Sequence, residues 1–387
     1  MFTLMKILYI TNLFGIIGNS AAVRNSALIN GLAGNGHIVD VLTIKYPNNR
    51  ISSTLRSCSY NSIFETELGV MDVVQGIANV RKNINNSLLR RIKKDIRELF
   101  FFPDIYVSWA EKINPNEFGH YDLLISSSDY KSSHYVAKKI KQVFPSLRWI
   151  QIWGDPWSID SMLSRLTKLR AKRQEKRLLS MADKVVYVSE LTSKAIIDMY
   201  PYLADKIHYV PRSYFKEIIV SNENRKRFVY DIVYAGGLSA ERQFDEFLDC
   251  VRLYNETHLE HFNVHFYGNY LDRDLERMKK YSFVFSHSTV DYDAILDVYA
   301  KSDALLFISN GEKSTQIPGK FFDYLGTNLP IICLVKANSD LIQFISTFPK
   351  CLIFKNDFLN IAEKVQNGKF TVDTKFSPEM IAKEILL

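Results

Sequence analysis

Only four cysteines occur in 387 residues, Cys58, Cys250, Cys333 and Cys351, and none stands in a CxxC or other metal-ligand spacing. Such scattered positions suit reduced thiols and exclude a disulfide-stapled scaffold or a cysteine zinc module. Glycine (16) and proline (11) are sparse, while hydrophobic residues make up 47% and charged residues 24% of the chain. That balance excludes collagen-like, low-complexity and disordered readings. No uncharged apolar run approaches the roughly 18 residues of a bilayer-spanning helix. The opening stretch, MFTLMKILYITNLFGIIG, has Lys6 inside its apolar run and no small-residue cleavage site, so it reads as a buried first strand. A cytoplasmic location is therefore expected. At roughly 150 residues per domain the length gives two to three domains with full-sized cores.

Positive charge is in surplus but not spread evenly. The chain is +7 overall, yet residues 81–97 hold seven Lys or Arg against Asp95, and residues 165–177 hold seven against Glu175. Each segment is +6, so the remainder is net acidic. In the first, Ile84, Leu88, Ile92 and Ile96 recur along one helical face before the aromatic run at 100–102. Two readings are open for residues 81–102: peripheral contact with an anionic membrane surface on the inner face of the cell membrane, or a helix with a solvated basic face. The second segment, with a less clear apolar face, reads as solvated. No nucleic-acid module accompanies the charge, so nucleic acid is not an expected partner.

Short apolar runs alternate with helical patterns along the whole chain. KILYIT, HIVDVLTI, YDLLISSS, LRWIQIW, KVVYVS and KIHYVP form one series; FVYDIVYAG, FNVHFYG, YSFVFSH, ALLFISN, LPIICLV and CLIFKN form another. Strand–helix alternation predicts parallel sheets with crossover helices, twice over: an α/β chain of two Rossmann-like domains facing each other across a cleft. Residues 1–215 form the expected N-terminal domain, 216–228 a polar linker, 229–376 the C-terminal domain, and 377–387 a helix that returns to the first domain. Ligands of such folds bind beyond the carboxyl ends of the strands, which makes the cleft the expected site.

Three loops carry candidate chemistry. TNLFGIIGNSAAVRN places Gly15 and Gly18 between a strand and a helix without forming GxGxxG, so it suits close approach of a substrate to the backbone better than NAD. VYAGGLSAERQFDEF runs a strand into Gly236 and Gly237 and predicts a helix with Arg242 in its first turn, an arrangement suited to a diphosphate. A tight turn with a surface arginine is the plainer reading. In SNGEKSTQIPGKFFDYLGTN, Ser314 and Thr315 offer hydroxyls and Pro318 opens a helix carrying Lys320 and, three residues on, Asp323. A capped helix with an exposed ion pair explains each of these residues singly, but the string less well.

YAGGLSAERQFDEF and QIPGKFFDYLGTNLPII resemble the donor-binding elements of family 4 retaining glycosyltransferases with the GT-B fold, in the bacterial surface-polysaccharide branch with its P-x-K-x-x-E/D-Y string. FFFPDIYVSWAEK, YDLLISSSDYKSSHYVAKKI and WIQIWGDPWSID resemble first-domain elements of the same branch, so the likeness touches most of the chain in order. It implies that Arg242 and Lys320 neutralise a donor diphosphate lying on Gly236 and Gly237, that Asp323 binds the ribose, and that Ser286 and His287 lie near the base. In the first domain, His134 is expected to bond the transferred sugar and Asp155 to orient the acceptor hydroxyl; capping or core roles are the plainer readings of both. The string departs from the family where Thr315 stands in place of a glutamate and Pro211-Arg212-Ser213 in place of Asn-Gly.

The expected function is metal-independent, retaining transfer of a sugar from a nucleotide diphosphate sugar to a hydroxyl of a glycan acceptor, lipid-linked, in polysaccharide, O-antigen or capsule biosynthesis. No cofactor and no metal is expected. The alternatives are a nucleotide-sugar 2-epimerase and a non-catalytic GT-B homologue that binds glycan or a partner transferase.

Overall fold

The computed structural model describes residues 3–69, 101–160, 163–221, 228–238, 242–310, 317–335 and 339–387. The chain divides into two compact units, one of residues 1–211 with 381–387 and one of residues 212–380. Both are built on a parallel sheet.

The first unit holds β1 (Lys6–Thr11), β2 (Ile38–Ile44), β3 (Ser62–Thr66), β4 (Leu123–Ser128), β5 (Arg148–Trp153), β6 (Lys184–Tyr187) and β7 (Ile207–Tyr209) in the order β3-β2-β1-β4-β5-β6-β7. β1 and β4 are buried along almost their whole length, as strands covered on both faces must be, and this is why they read as continuous apolar runs. β3 was not legible that way. Its sequence SIFET is mostly exposed, because an edge strand has little core to face.

The second unit repeats the plan with β8 (Val229–Ala235), β9 (His261–Tyr267), β10 (Val284–His287), β11 (Ala304–Ile308), β12 (Ile331–Leu334) and β13 (Cys351–Ile353), ordered β10-β9-β8-β11-β12-β13. Ile232, Tyr234, Phe262, Val264, Phe266 and Leu306 anchor its main core. In each sheet the strand order reverses once, between β1 and β4 and between β8 and β11. Connections diverge at such a point and leave a crevice at the carboxyl ends of the two strands.

The terminal helix Pro378–Leu386 ends within the first unit. There Lys184 Nζ donates to Glu384 O at 3.2 Å and an Arg148 Nη2 donates to Leu386 O at 3.3 Å, so two cations satisfy carbonyls of its last turn.

Candidate functional site

In the second unit Gly236, Gly237, Arg242, Lys320 and Asp323, five of the expected donor residues, gather at the reversal between β8 and β11. β8 runs out into Gly236, whose φ of +119° is open to glycine but rarely to L side chains. A Cβ there would also stand 2.6 Å from Lys320 Nζ, so the position needs both the backbone freedom and the missing side chain. Lys320 opens the short helix Lys320–Leu325 that follows β11, two residues beyond Pro318. Its ammonium lies 3.9 Å from the centroid of the Tyr234 ring, is buried, and has no hydrogen-bond partner among the described residues. Burial pushes its pKa well below the usual lysine value, and the charge of Arg242 pushes the same way.

Arg242 approaches Tyr234 from the hydroxyl end. Its Nη1 donates to Tyr234 OH at 2.7 Å and to Gly237 O, and Nη2 donates to Asn310 Oδ1 at 2.7 Å. Tyr234 therefore stands between two cations, one over its ring and one on its hydroxyl. The helix expected to include Arg242 in its first turn begins at Asp245 instead, and the arginine belongs to the loop before it. Short-range bonds to Tyr234 and Gly237 hold the loop where helix periodicity suggested a turn.

Asp323 lies on the same helix as Lys320 and accepts from Tyr292 OH at 3.2 Å. Burial raises its pKa to about 6, against the opposing pull of Arg212 and the tyrosine hydrogen bond. Tyr324, next in sequence, accepts from Ala235 N through its hydroxyl at 3.3 Å and so ties the helix to the end of β8. At the far end, buried Lys350 donates to Leu325 O and Thr327 O and satisfies the helix's terminal carbonyls.

Ser286 and His287 are not part of this group. They end the outermost strand β10, separated from β8 by β9, with Ser286 exposed. His287 Nε2 lies 3.0 Å from His265 Nδ1, and His265 Nε2 lies 3.1 Å from Asp231 Oδ1. A carboxylate can only accept, so His265 Nε2–H donates to Asp231 Oδ1, His265 Nδ1 accepts from His287 Nε2–H, and neutral His287 keeps Nδ1 as an acceptor. Ser314 and Thr315 lie outside the described residues.

The first unit has its own polar group at the β1–β4 reversal. Gly15 and Gly18 lie in the loop after β1 with φ of +66° and +67°; the Arg56 side chain fills the space beside Gly15, whereas nothing stands within 4 Å of the Cβ position at Gly18. Arg24, on helix Ser20–Gly34, is buried and reaches Asp129 beyond β4 at 3.3 Å. Lys131 is also buried, its Nζ 3.3 Å from Asp129 O and 5.2 Å from the Trp153 ring centroid. Burial lowers its pKa, and Asp129 and Asp155 partly restore it. Asp155 is exposed just past β5. His134 has no accessible surface: its ring packs on Trp153 at 4.4 Å and Nδ1 is 2.7 Å from Ser126 Oγ. Burial, then the charge of Lys131, holds its pKa well below the ordinary histidine value, so it is neutral.

The Pro-Asp element upstream acts through this helix. Asp104 Oδ2 accepts from Ser132 N at 2.8 Å at the start of Ser132–Val143, the helix that carries His134. Arg24, Lys131 and Tyr234 were missed by sequence reasoning. Their signal was weak but present: a charged residue inside an alanine-rich helix, a lysine just after a buried strand, and a tyrosine in the run before Gly-Gly.

No family model and no curated protein sequence matches the chain. Solved structures do. A glycosyltransferase from Rickettsia africae superposes with a TM-score of 0.57 at 13% identity, covering 100% of this chain and 97% of that one. The fold is GT-B. HepE of Anabaena, solved with UDP and glucose, shares the GT-B plan at TM-score 0.54 and 10% identity, covering 99% of this chain and 94% of its own. A UDP-N-acetylglucosamine 2-epimerase is as similar, with TM-score 0.54, 10% identity and coverage of 100% and 95%. Likeness at such identity is one of fold, so the chemistry must come from the residues.

Proposed function

We propose that this chain is a retaining, metal-independent glycosyltransferase that moves a sugar from a nucleoside diphosphate donor to a hydroxyl of a lipid-linked glycan, in polysaccharide, O-antigen or capsule biosynthesis. The observation that carries the reading is Lys320: a buried ammonium without a hydrogen-bond partner among the described residues, facing a glycine loop at the strand-order reversal of a GT-B second domain. A lone buried cation is costly, and a phosphate group is the natural partner to offset that cost.

When the glycosidic bond to the donor lengthens, negative charge builds on the departing diphosphate and positive charge on the sugar. Lys320 stabilises the leaving group, Arg242 supports the Gly237 carbonyl and the same loop, and the Gly236–Gly237 backbone admits the phosphates closely. Ionised Asp323 accepts from the ribose hydroxyls. The family resemblance implies attack on the face the diphosphate leaves, with no enzyme nucleophile. In the first domain Asp155 orients the acceptor hydroxyl, and the loop with Gly15 and Gly18 admits the sugar. His134, neutral and enclosed, acts by supporting Trp153 and the wall around Lys131, and any bond to the sugar from its Nε2 requires that wall to open. The UDP and glucose bound to HepE support uridine nucleotides as the first donors to try.

Fold likeness to a 2-epimerase supports a second reading, interconversion of nucleotide sugars without an acceptor. Incubation with labelled nucleotide sugars separates the two. Acceptor-dependent release of nucleoside diphosphate with label appearing in the glycan supports transfer; a changed sugar on an intact nucleotide, with no acceptor present, overturns it in favour of epimerisation.

A further inference from the structure

The second basic segment is the helix Arg165–Met181, and its two faces differ sharply. Thr167, Ala171, Glu175, Leu178 and Leu179 point inward and are buried. Glu175, the only acid in residues 165–177, is fully enclosed and accepts from Trp157 N, Ser158 N, Ser158 Oγ and Tyr200 OH, so its hydrogen bonds are spent inward rather than on the cations outside. Arg165, Lys168, Lys172, Arg173, Lys176 and Arg177 make no ion pair among the described residues. Among them stand Leu166 and Leu169, 64% and 68% exposed and three residues apart, hence side by side on the outward face.

Aromatic rings border the same surface. The Arg170 guanidinium lies 4.3 Å from the centroid of the Phe102 ring, which in turn stacks on Trp157. Lys176 Nζ sits 5.3 Å over Tyr202, which is 61% exposed.

We infer that helix Arg165–Met181 is the surface by which the first unit lies on an anionic lipid bilayer. Unpaired cations draw the helix to acidic head groups, and Leu166 and Leu169 enter the head-group boundary between them. Charge alone would suit any polyanion; the two exposed leucines rimmed by cations favour a surface with an apolar layer beneath its charge. The inward face gives the contact a purpose. Through Glu175 the helix grips the backbone of Trp157 and Ser158, next to Asp155, so docking holds the proposed acceptor loop beside the lipid. That purpose rests on the transferase reading, whereas the docking itself does not.

Flotation of the full chain with vesicles tests the inference. Binding is expected to vesicles of equal parts phosphatidylglycerol and phosphatidylcholine, not to phosphatidylcholine alone, and is expected to weaken with added salt. Lys172→Gln with Arg173→Gln is expected to weaken vesicle binding by about fivefold per charge removed. Leu166→Ser with Leu169→Ser, which keeps every charge, is expected to weaken it by about tenfold or more while leaving binding to polyglutamate unchanged. All four positions are exposed, so each variant should melt like the parent and bind nucleotide like the parent, which keeps a failed docking test distinct from a failed donor site. The inference is overturned if the parent ignores acidic vesicles, if both double variants bind them like the parent, or if the leucine variant alone does, which would make the face a site for an acidic protein or nucleic acid. Release only on neutralising Arg90, Arg91, Lys93 and Lys94 would overturn it in favour of residues 81–102.

Discussion

Lys320 and Asp323 stand one turn apart on a single short helix, and burial pushes each toward its neutral form. Lys320→Met should therefore separate stability from binding. Removing a buried ammonium that has no hydrogen-bond partner among the described residues relieves a desolvation cost, so the variant should melt at or above the parent temperature. Melting several degrees lower would mean the ammonium has a partner that stabilises the fold.

Asp323 gives a pH test. Its pKa is raised from 3.8 to about 6 in the free protein, and hydroxyl donation from a ribose would favour the ionised form. The free protein therefore holds a proton below pH 6 that the complex must release, so nucleotide affinity should fall as pH drops through 6. By the same linkage, the raised value makes Asp323 a contributor to stability at low pH that is lost as pH rises from about 4 through 6. Calorimetric titrations between pH 5 and 7 should show the affinity slope in the parent and a flatter one in Asp323→Asn. Equal slopes would remove Asp323 from the nucleotide site.

At the scale of elements, the loop carrying Asp155 is held by the helix behind it rather than by its own sequence. Glu175 collects two backbone N–H groups and two hydroxyls from Trp157, Ser158 and Tyr200. Glu175→Ala leaves those donors buried and should cost about 1–3 kcal/mol of stability, read as a lowered urea midpoint with unchanged slope. An unchanged midpoint would show that water or neighbouring groups take over the carboxylate's role.

Elements also show how far the sequence could be read. Apolar runs such as KILYIT and ALLFI announced β1 and β11 because both faces of those strands are covered. β3 escaped because an edge strand need not be apolar. Arg242 was named as a candidate but assigned to a helix, since its loop is set by bonds to Tyr234, Gly237 and Asn310 that no periodicity encodes. Lys320 and Asp323 were legible as a spaced pair; that the ammonium would be buried without a hydrogen bond was not, because it depends on Gly236 and Tyr234, 84 and 86 residues earlier. Arg24 and Lys131 were hidden for the same reason, as each meets its partners only once β1, β4 and β5 lie side by side.

For the whole molecule, the same α/β plan has been used twice, and each copy places a pair of cations near the point where its strand order reverses, Arg24 and Lys131 in the first and Lys320 and Arg242 in the second. Arg24 and Lys131 come with carboxylates, Asp129 and Asp155, close enough to oppose their charge. Lys320 and Arg242 come with neutral groups, Tyr234, Gly237 and Asn310. That contrast supports the proposed placing of the anion in the second unit and of the hydroxyl-bearing partner in the first. Calorimetric titration of the parent and Lys320→Met with UDP, GDP and ADP tests it most directly. Saturable binding of one nucleoside diphosphate, weakened by about 1.5–3 kcal/mol in the variant, is the predicted result; equal affinity in both proteins, or binding of none of the three, would contradict it.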